Sequence, residues 1–88
     1  MTRRARITQR LTEEMQPSFI DIRDDSDKHA SHGNVPAGAL ETHLHLIISA
    51  SQLNDKSRVE QHRSIMQLLG DEFDSGLHAL SIEVRKTA

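Results

Sequence analysis

The sequence of 88 residues contains no cysteine, tryptophan or tyrosine, and only two phenylalanines. Without cysteine the chain can form neither a disulfide framework nor a thiolate site. Any metal held by this chain alone would therefore need histidine or carboxylate ligands. The scarcity of aromatic side chains argues against a base-stacking platform for single-stranded nucleic acid.

Charge and hydropathy set further limits. A net charge of −2 is too small to steer the chain strongly toward polyanions. No apolar run approaches the roughly 20 residues of a membrane span. The basic start MTRRARITQR lacks the hydrophobic run of a secretory signal. We therefore expect no membrane partner, a cytoplasmic location and, from the length, a single domain over residues 1–88.

The segment Glu41–Ala50, with the sequence ETHLHLIISA, has the strongest strand pattern in the chain. Its residues alternate between two faces, as the side chains of a β-strand do. One face carries Leu44, Leu46 and Ile48, and the other carries His43, His45, Ile47 and Ser49. Aliphatic and β-branched side chains fit a pleated surface. The pattern predicts a buried central strand with two histidines on its second face.

The remaining elements follow from periodicity and turn residues. In chain order we predict a helix over Thr2–Met15, a strand over Ser18–Asp25, a long loop over Ser26–Leu40, the strand Glu41–Ala50, a helix over Ser57–Phe73 and a strand over Leu77–Arg85. The order is α-β-β-α-(α)-β, because Gly70 weakens the second helix. It predicts an α+β fold with a three-stranded mixed sheet and the helices on one face.

Three details of the helices can be read from the sequence. Ser57 and Glu60 form a capping-box pattern at the start of the second helix. Its apolar side is predicted to comprise Val59, His62, Ile65, Met66 and Leu69. The arginines of the first helix, Arg3, Arg4 and Arg6, fit a solvated, frayed helix end better than an anion-binding or nucleic-acid-binding patch.

Several strings taken together resemble the BolA family. They are DDSDKHASH, NVPAG, ETHLHL, KSRVEQHR and GLHALSIE, in the family's order and at its spacing over nearly the whole chain. The resemblance implies a fold similar to the type II K-homology fold. Two features depart from the family pattern: the loop holds two histidines, and the sequence ends at Ala88, where many members continue into a further helix.

The resemblance also implies a function for the histidine of the HAL string, His78. From the residues alone, His78 shares a face with Leu80, Ile82 and Val84, which favours a buried core histidine. In the family, the matching histidine is implied as a ligand to a [2Fe–2S] cluster shared with a monothiol glutaredoxin. We therefore expect that glutaredoxin as partner, with glutathione supplied by it, and no cofactor on the isolated chain.

The second ligand implied by the resemblance is a loop histidine. His29 matches the family spacing best, and His32 is the alternative. His43, within the ETH string, is expected to support the ligands without binding the cluster. The residues leave another reading open, in which His43 and His45 join His29 or His32 in a zinc, nickel or copper site. The absence of cysteine makes that reading the weaker one.

Other functions rank lower. The family resemblance also implies a nucleic-acid-binding transcriptional regulator, for which Lys56, Arg58 and Arg63 would contact DNA or an acidic partner. However, the G-x-x-G loop of K-homology domains is absent from the sequence. No nucleophile and base pattern is evident, so we predict that the protein is not an enzyme. Pairing through edge strands would allow a homodimer.

Overall fold

A computed structural model describes residues 2–24 and 42–87. Its elements are α1 (Arg3–Met15), β1 (Phe19–Asp24), β2 (His43–Ser49), a 3-10 turn (Ser51–Leu53), α2 (Arg58–Leu68), α3 (Gly70–Asp74) and β3 (Ala79–Val84). The order and the mixed α+β architecture confirm the prediction. Within these residues, none of the helices has the length and apolar character needed to cross a membrane.

The sheet has the strand order β1-β2-β3, with β2 at its centre. β1 runs antiparallel to β2, with Ile22 opposite Leu46. β2 runs parallel to β3, with Leu46 opposite Ile82. A parallel pair needs a crossover connection, and α2 and α3 provide it. The predicted topology of the sheet is therefore confirmed.

The helices pack on the face of the sheet that carries Leu44, Leu46 and Ile48. The buried cluster on this face comprises Ile7, Leu11, Met15, Leu44, Leu46, Ile48, Ala50, Leu53, Ile65, Leu69 and Leu77. α1 contributes Ile7, Leu11 and Met15, which recur every four residues and form one stripe. Burying such side chains contributes about 1.5–3 kcal/mol each to stability before entropy is counted.

The opposite face of the sheet buries a single aliphatic residue. Ile47 is only 4% exposed, although it lies outside the main cluster. Its register partners are Asp21 on β1 and Glu83 on β3. Asp21 pairs with Arg23 at 3.4 Å, and Glu83 pairs with Arg85 at 2.6 Å. Such exposed pairs contribute little energy, so burial of Ile47 is the main apolar feature of this face.

The boundaries of α2 agree with its sequence signals. The Ser57 hydroxyl accepts the Glu60 backbone N–H, so the predicted N-cap is confirmed. The Glu60 carboxylate reaches back to the Ser57 hydroxyl rather than to the Ser57 backbone N–H. The helix ends at Leu68, and a new short helix begins at Gly70, as the glycine suggested.

The buried side of α2 differs from the prediction. Val59 is 59% exposed, and His62 is also exposed. Gln61 turns inward instead, because its amide donates to the carbonyl of Leu53, itself fully buried. The inward side of the helix therefore passes through Gln61, Ile65 and Leu69, which are four residues apart.

The start of α1 is anchored rather than frayed. Arg3 Nε donates to Glu72 Oε1 at 3.1 Å, and Arg6 contacts both Glu72 carboxylate oxygens at 2.8 and 2.9 Å. The side chains of Arg3 and Glu72 are only 13% and 14% exposed. Arg3 Nη2 also donates to the carbonyl of Ser75. The prediction of a frayed helix end was therefore wrong, because Glu72 pairs with both arginines, although the Arg6 side chain stays 43% exposed.

His78 also differs from the prediction. The side chain is exposed, and it precedes β3, whereas its neighbour Leu77 is 3% exposed. The N–H groups of both His78 and Ala79 donate to the carbonyl of Thr42. In a regular parallel strand, the N–H groups of consecutive residues point to opposite edges of the strand, so two of them cannot share one acceptor on the neighbouring strand. The regular strand pattern of β3 therefore begins only at Ala79. His78 is consequently not part of the apolar face of Leu80, Ile82 and Val84.

The Glu72 cluster predicts a pH-dependent contribution to stability. Hydrogen bonds from Arg6, and then Arg3, hold the pKa of Glu72 below its ordinary value of 4.5, although burial opposes them. Glu72→Gln should lower the free energy of unfolding by about 1–3 kcal/mol at neutral pH. That contribution is complete above the unfolded-state pKa, about 4.5, and is lost as pH falls through the lower folded-state pKa. Urea unfolding between pH 7 and pH 3 measures it.

Glu14→Gln is the matched control for Glu72→Gln. It makes the same change from carboxylate to amide, but the Glu14 side chain is exposed. It should change the stability by less than about 0.5 kcal/mol at every pH. Equal effects of the two substitutions would contradict the anchoring role of Glu72.

Substitution by alanine should destabilise the protein far more at Leu77 than at its neighbour His78. Leu77→Ala should cost about 2–5 kcal/mol, because it leaves a cavity in the core. His78→Ala should cost less than about 1 kcal/mol, because the ring is exposed. Thermal unfolding of the two variants measures the difference. A loss at His78 as large as that at Leu77 would show that the His78 ring is buried.

Candidate functional site

Three chain segments meet at one edge of the sheet. β1 ends there at Asp24, and β2 begins there at Thr42 and His43, because the two strands are antiparallel and Asp24 lies opposite Leu44. β3 runs parallel to β2, so His78, just before β3, lies at the same edge. Asp24 and Thr42, the described residues on either side of 25–41, therefore both lie at this edge, close to His43 and His78.

Thr42 connects the segments at this edge. Its carbonyl accepts the N–H groups of His78 at 2.9 Å and Ala79 at 3.1 Å. Its hydroxyl Oγ1 forms a 3.0 Å hydrogen bond with Nδ1 of His43. One residue thus fixes the backbone of His78 and the ring of His43.

The rings of His43 and His78 are in contact. Their centroids lie 5.7 Å apart and their planes meet at 76°, which is an edge-to-face arrangement. The His78 side chain is exposed, whereas that of His43 is half-buried. The pair therefore consists of an inner ring held by Thr42 and an outer ring open to solvent.

The chemistry available to the pair is that of imidazole. Imidazole nitrogens bind iron, zinc, copper and nickel. Among the residues that the structure describes, no three histidine, cysteine, aspartate or glutamate side chains are grouped so that they could hold a metal ion. A metal at this edge would therefore need further ligands from elsewhere.

The structure places the other predicted histidines as follows. His29 and His32 lie outside the described residues. His45 shares the sheet face of His43, as predicted, and its register partners are Arg23 and Ser81. His45 lines a groove with Arg58 and His62 of α2 and with β3. His43 therefore meets His78. The alternative metal site of His43 and His45 also requires His29 or His32, so it stays an untested alternative.

The predicted basic cluster lies at the start of α2. Lys56, Arg58 and Arg63 are all exposed. The Glu60 carboxylate next to them accepts the Ser57 hydroxyl. Arg58, Arg63 and His62 surround the exposed Val59 and form a shallow cationic hollow.

The sequence analysis did not identify the contact between His43 and His78. The two residues are 35 positions apart, and only the register of β2 and β3 brings them together. A signal was present, because parallel pairing of two strands that both begin near a histidine places those histidines at one edge. The one-residue irregularity at His78 then turns its ring toward His43.

Comparison with known proteins identifies the family. A model of the BolA family, described as "BolA-like protein", matches residues 11–88. The UV-induced protein uvi31 of Schizosaccharomyces pombe is 42% identical over 90 residues, which cover 99% of this chain and 87% of that protein. The DNA-binding transcriptional regulator BolA of Escherichia coli is 32% identical over 79 residues, covering 90% of this chain and 70% of that protein.

A plant relative is similar in both sequence and structure. SufE-like protein 1 of Arabidopsis thaliana, a chloroplastic and mitochondrial protein, is 41% identical over 90 residues and 99% of this chain. The chain spans only 24% of that protein's length. The solved BolA domain of SufE1 superposes with a TM-score of 0.81 at 39% identity, covering 98% of this chain and 94% of that domain. The chain therefore belongs to the BolA family.

Proposed function

We propose that this protein pairs with a monothiol glutaredoxin and supplies histidine ligands to a [2Fe–2S] cluster shared between the two proteins. Its role would lie in the assembly or trafficking of iron–sulfur clusters, or in iron sensing. Proteins of the BolA family are regulators or partner proteins and are not known enzymes. This agrees with a role that depends on binding a partner.

The observation that carries the proposal is the exposure of His78 at the sheet edge. A cluster ligand supplied to another protein must reach that protein, and a core histidine could not do so. The His78 side chain is open to solvent, and its backbone is fixed by the Thr42 carbonyl. The donor set fits the group, because imidazole nitrogens replace two cysteines on one iron of Rieske clusters.

The composition of the chain supports its dependence on a partner. The chain has no cysteine, so every thiolate ligand would have to come from the glutaredoxin and its glutathione. Replacement of thiolate by neutral imidazole makes a bound cluster less negative and raises its reduction potential. His78 would hold the iron from the sheet edge, and His43 would support His78 from the side.

The second ligand is proposed to be His29, with His32 as the alternative. Support comes from the described residues that flank positions 25–41, because Asp24 and Thr42 both lie at the edge that carries His78. Separate His29→Ala and His32→Ala variants would identify which imidazole is needed, through the visible spectrum of the shared cluster.

The direct test mixes the full chain with a monothiol glutaredoxin, iron, sulfide and glutathione. We expect a one-to-one complex whose visible absorption and circular dichroism differ from those of the glutaredoxin homodimer. His78→Ala should abolish the altered spectrum, because it removes a ligand. Size-exclusion chromatography with absorbance detection measures both the complex and the cluster.

His62→Ala is the matched control for this test, because His62 is an equally exposed histidine on α2. It should leave both the spectrum and the complex as in the natural chain. An unchanged spectrum in His78→Ala would remove the ligand assignment, and the absence of any complex with the natural chain would remove the proposed partnership.

A second candidate function is DNA binding. The relative from E. coli is named a DNA-binding transcriptional regulator. In this chain, Lys56, Arg58 and Arg63 present exposed cationic groups at the start of α2. The net charge of −2 weighs against strong phosphate binding, so this function ranks second.

A salt titration of binding to duplex DNA distinguishes this candidate. If the basic cluster contacts phosphates, the affinity should fall steeply with salt, and each neutralising substitution at Lys56, Arg58 or Arg63 should reduce the slope by about 1. Arg10→Gln, on the exposed side of α1, is the control and should leave the slope unchanged. No binding at low salt, or a slope near zero, would eliminate DNA as a partner.

A further inference from the structure

We infer that His43 is a positioning residue for His78: held by Thr42, it fixes the orientation in which the His78 imidazole is presented. The predicted effect of His43 on partner binding rests on the proposed function. The predicted effect of His43 on the orientation of the His78 ring does not, because it can be measured in the isolated chain. The observation behind it is the edge-to-face contact of the two rings at 5.7 Å.

The inner ring has independent reasons to be ordered. His43 is the first residue of β2, the central strand, and its register partner on β3 is Ala79. Its Nδ1 forms the 3.0 Å hydrogen bond with Thr42 Oγ1. The ring is half-buried. A side chain restrained by the strand, the hydroxyl and its neighbours has few orientations available.

The outer ring has no such restraint of its own. His78 is exposed, and exposed side chains normally change rotamer within picoseconds to nanoseconds. Its backbone N–H is held by the Thr42 carbonyl, which fixes its position but not its χ1 angle. The contact with His43 is the interaction in the described residues that selects a ring orientation. An aromatic pair of this kind favours one arrangement by about 2- to 10-fold.

An ordered ligand binds more tightly than a disordered one. Immobilising a side chain on binding costs conformational entropy, and restraint in the free protein removes part of that cost. Partners that orient a histidine ligand without binding the metal commonly raise its affinity. His43→Ala should therefore weaken the complex with the cluster-loaded glutaredoxin by about 2- to 10-fold, without removing a ligand.

The first experiment uses the isolated chain and needs no cluster. Three-bond couplings from the ring carbon Cγ of His78 to its backbone nitrogen and carbonyl carbon report the χ1 populations. In the natural chain one rotamer should predominate. In His43→Ala the couplings should move to averaged values, whereas His43→Phe, which retains an aromatic ring, should preserve most of the preference.

His45→Ala is the matched control, because His45 lies two residues further along the same face of β2 and its partner on β3 is Ser81. It should leave the His78 couplings as in the natural chain. Thr42→Val keeps the carbonyl but removes the hydroxyl, so it should give intermediate averaging and provides a second test if His43→Ala fails to fold. Averaged couplings in the natural chain, or unchanged couplings in His43→Ala and Thr42→Val, would overturn the inference.

The second experiment titrates the same variants with the cluster-loaded monothiol glutaredoxin. His43→Ala should raise the Kd by about 2- to 10-fold while the bands of the visible spectrum keep their positions. Loss of the spectrum, as expected of His78→Ala, would make His43 a ligand and overturn its positioning role. If the natural chain forms no complex, the proposed function fails, but the couplings still decide whether His43 orders His78.

Discussion

The double hydrogen bond to the carbonyl of Thr42 is the interaction on which the candidate site depends. One acceptor receives the N–H groups of two consecutive residues, His78 and Ala79, and so fixes where the parallel pairing of β2 and β3 begins. Regular pairing from His78 onward would have turned that side chain toward the helices. The irregular start leaves Leu77 in the core and His78 outside it, beside His43. A backbone feature thereby separates a core residue, Leu77, from the proposed ligand, His78.

The two faces of the sheet differ in what they pack against and in the residues they carry. The face under the helices carries the apolar cluster, which supplies most of the stability. On the other face Ile47 and Ser49 are buried, and His43 lies at the edge where three segments meet. Since a chain of this size has a thin core, the ion pairs from Arg3 and Arg6 to Glu72 add a connection between the start of α1 and α3. The packed layer thus supports the edge at which the His78 side chain is exposed.

Much of this architecture could be predicted from the sequence, and the exceptions have physical causes. The alternation in Glu41–Ala50, the Ser57 N-cap and the break at Gly70 are local signals, and each was confirmed. The exposure of His78 depends on the register between distant strands, and local alternation cannot report it. The pairing of Arg3 with Glu72 spans 69 positions, so it was equally invisible. Val59 and His62 were misassigned because the inward turn of Gln61 depends on a carbonyl outside the helix. The histidines of the loop, His29 and His32, stay predictions.

The central claim is that an imidazole of this chain, presented by the sheet edge, binds iron in a cluster shared with a glutaredoxin. Pulsed electron paramagnetic resonance of the reduced complex tests it most directly, with nitrogen-15 histidine in this chain and natural-abundance glutaredoxin. The account predicts nitrogen-15 couplings of the size found for directly bound imidazole, and the loss of at least one of them in His78→Ala. A complex that contains the cluster but shows no strong nitrogen-15 coupling, or one unchanged in His78→Ala, would contradict it.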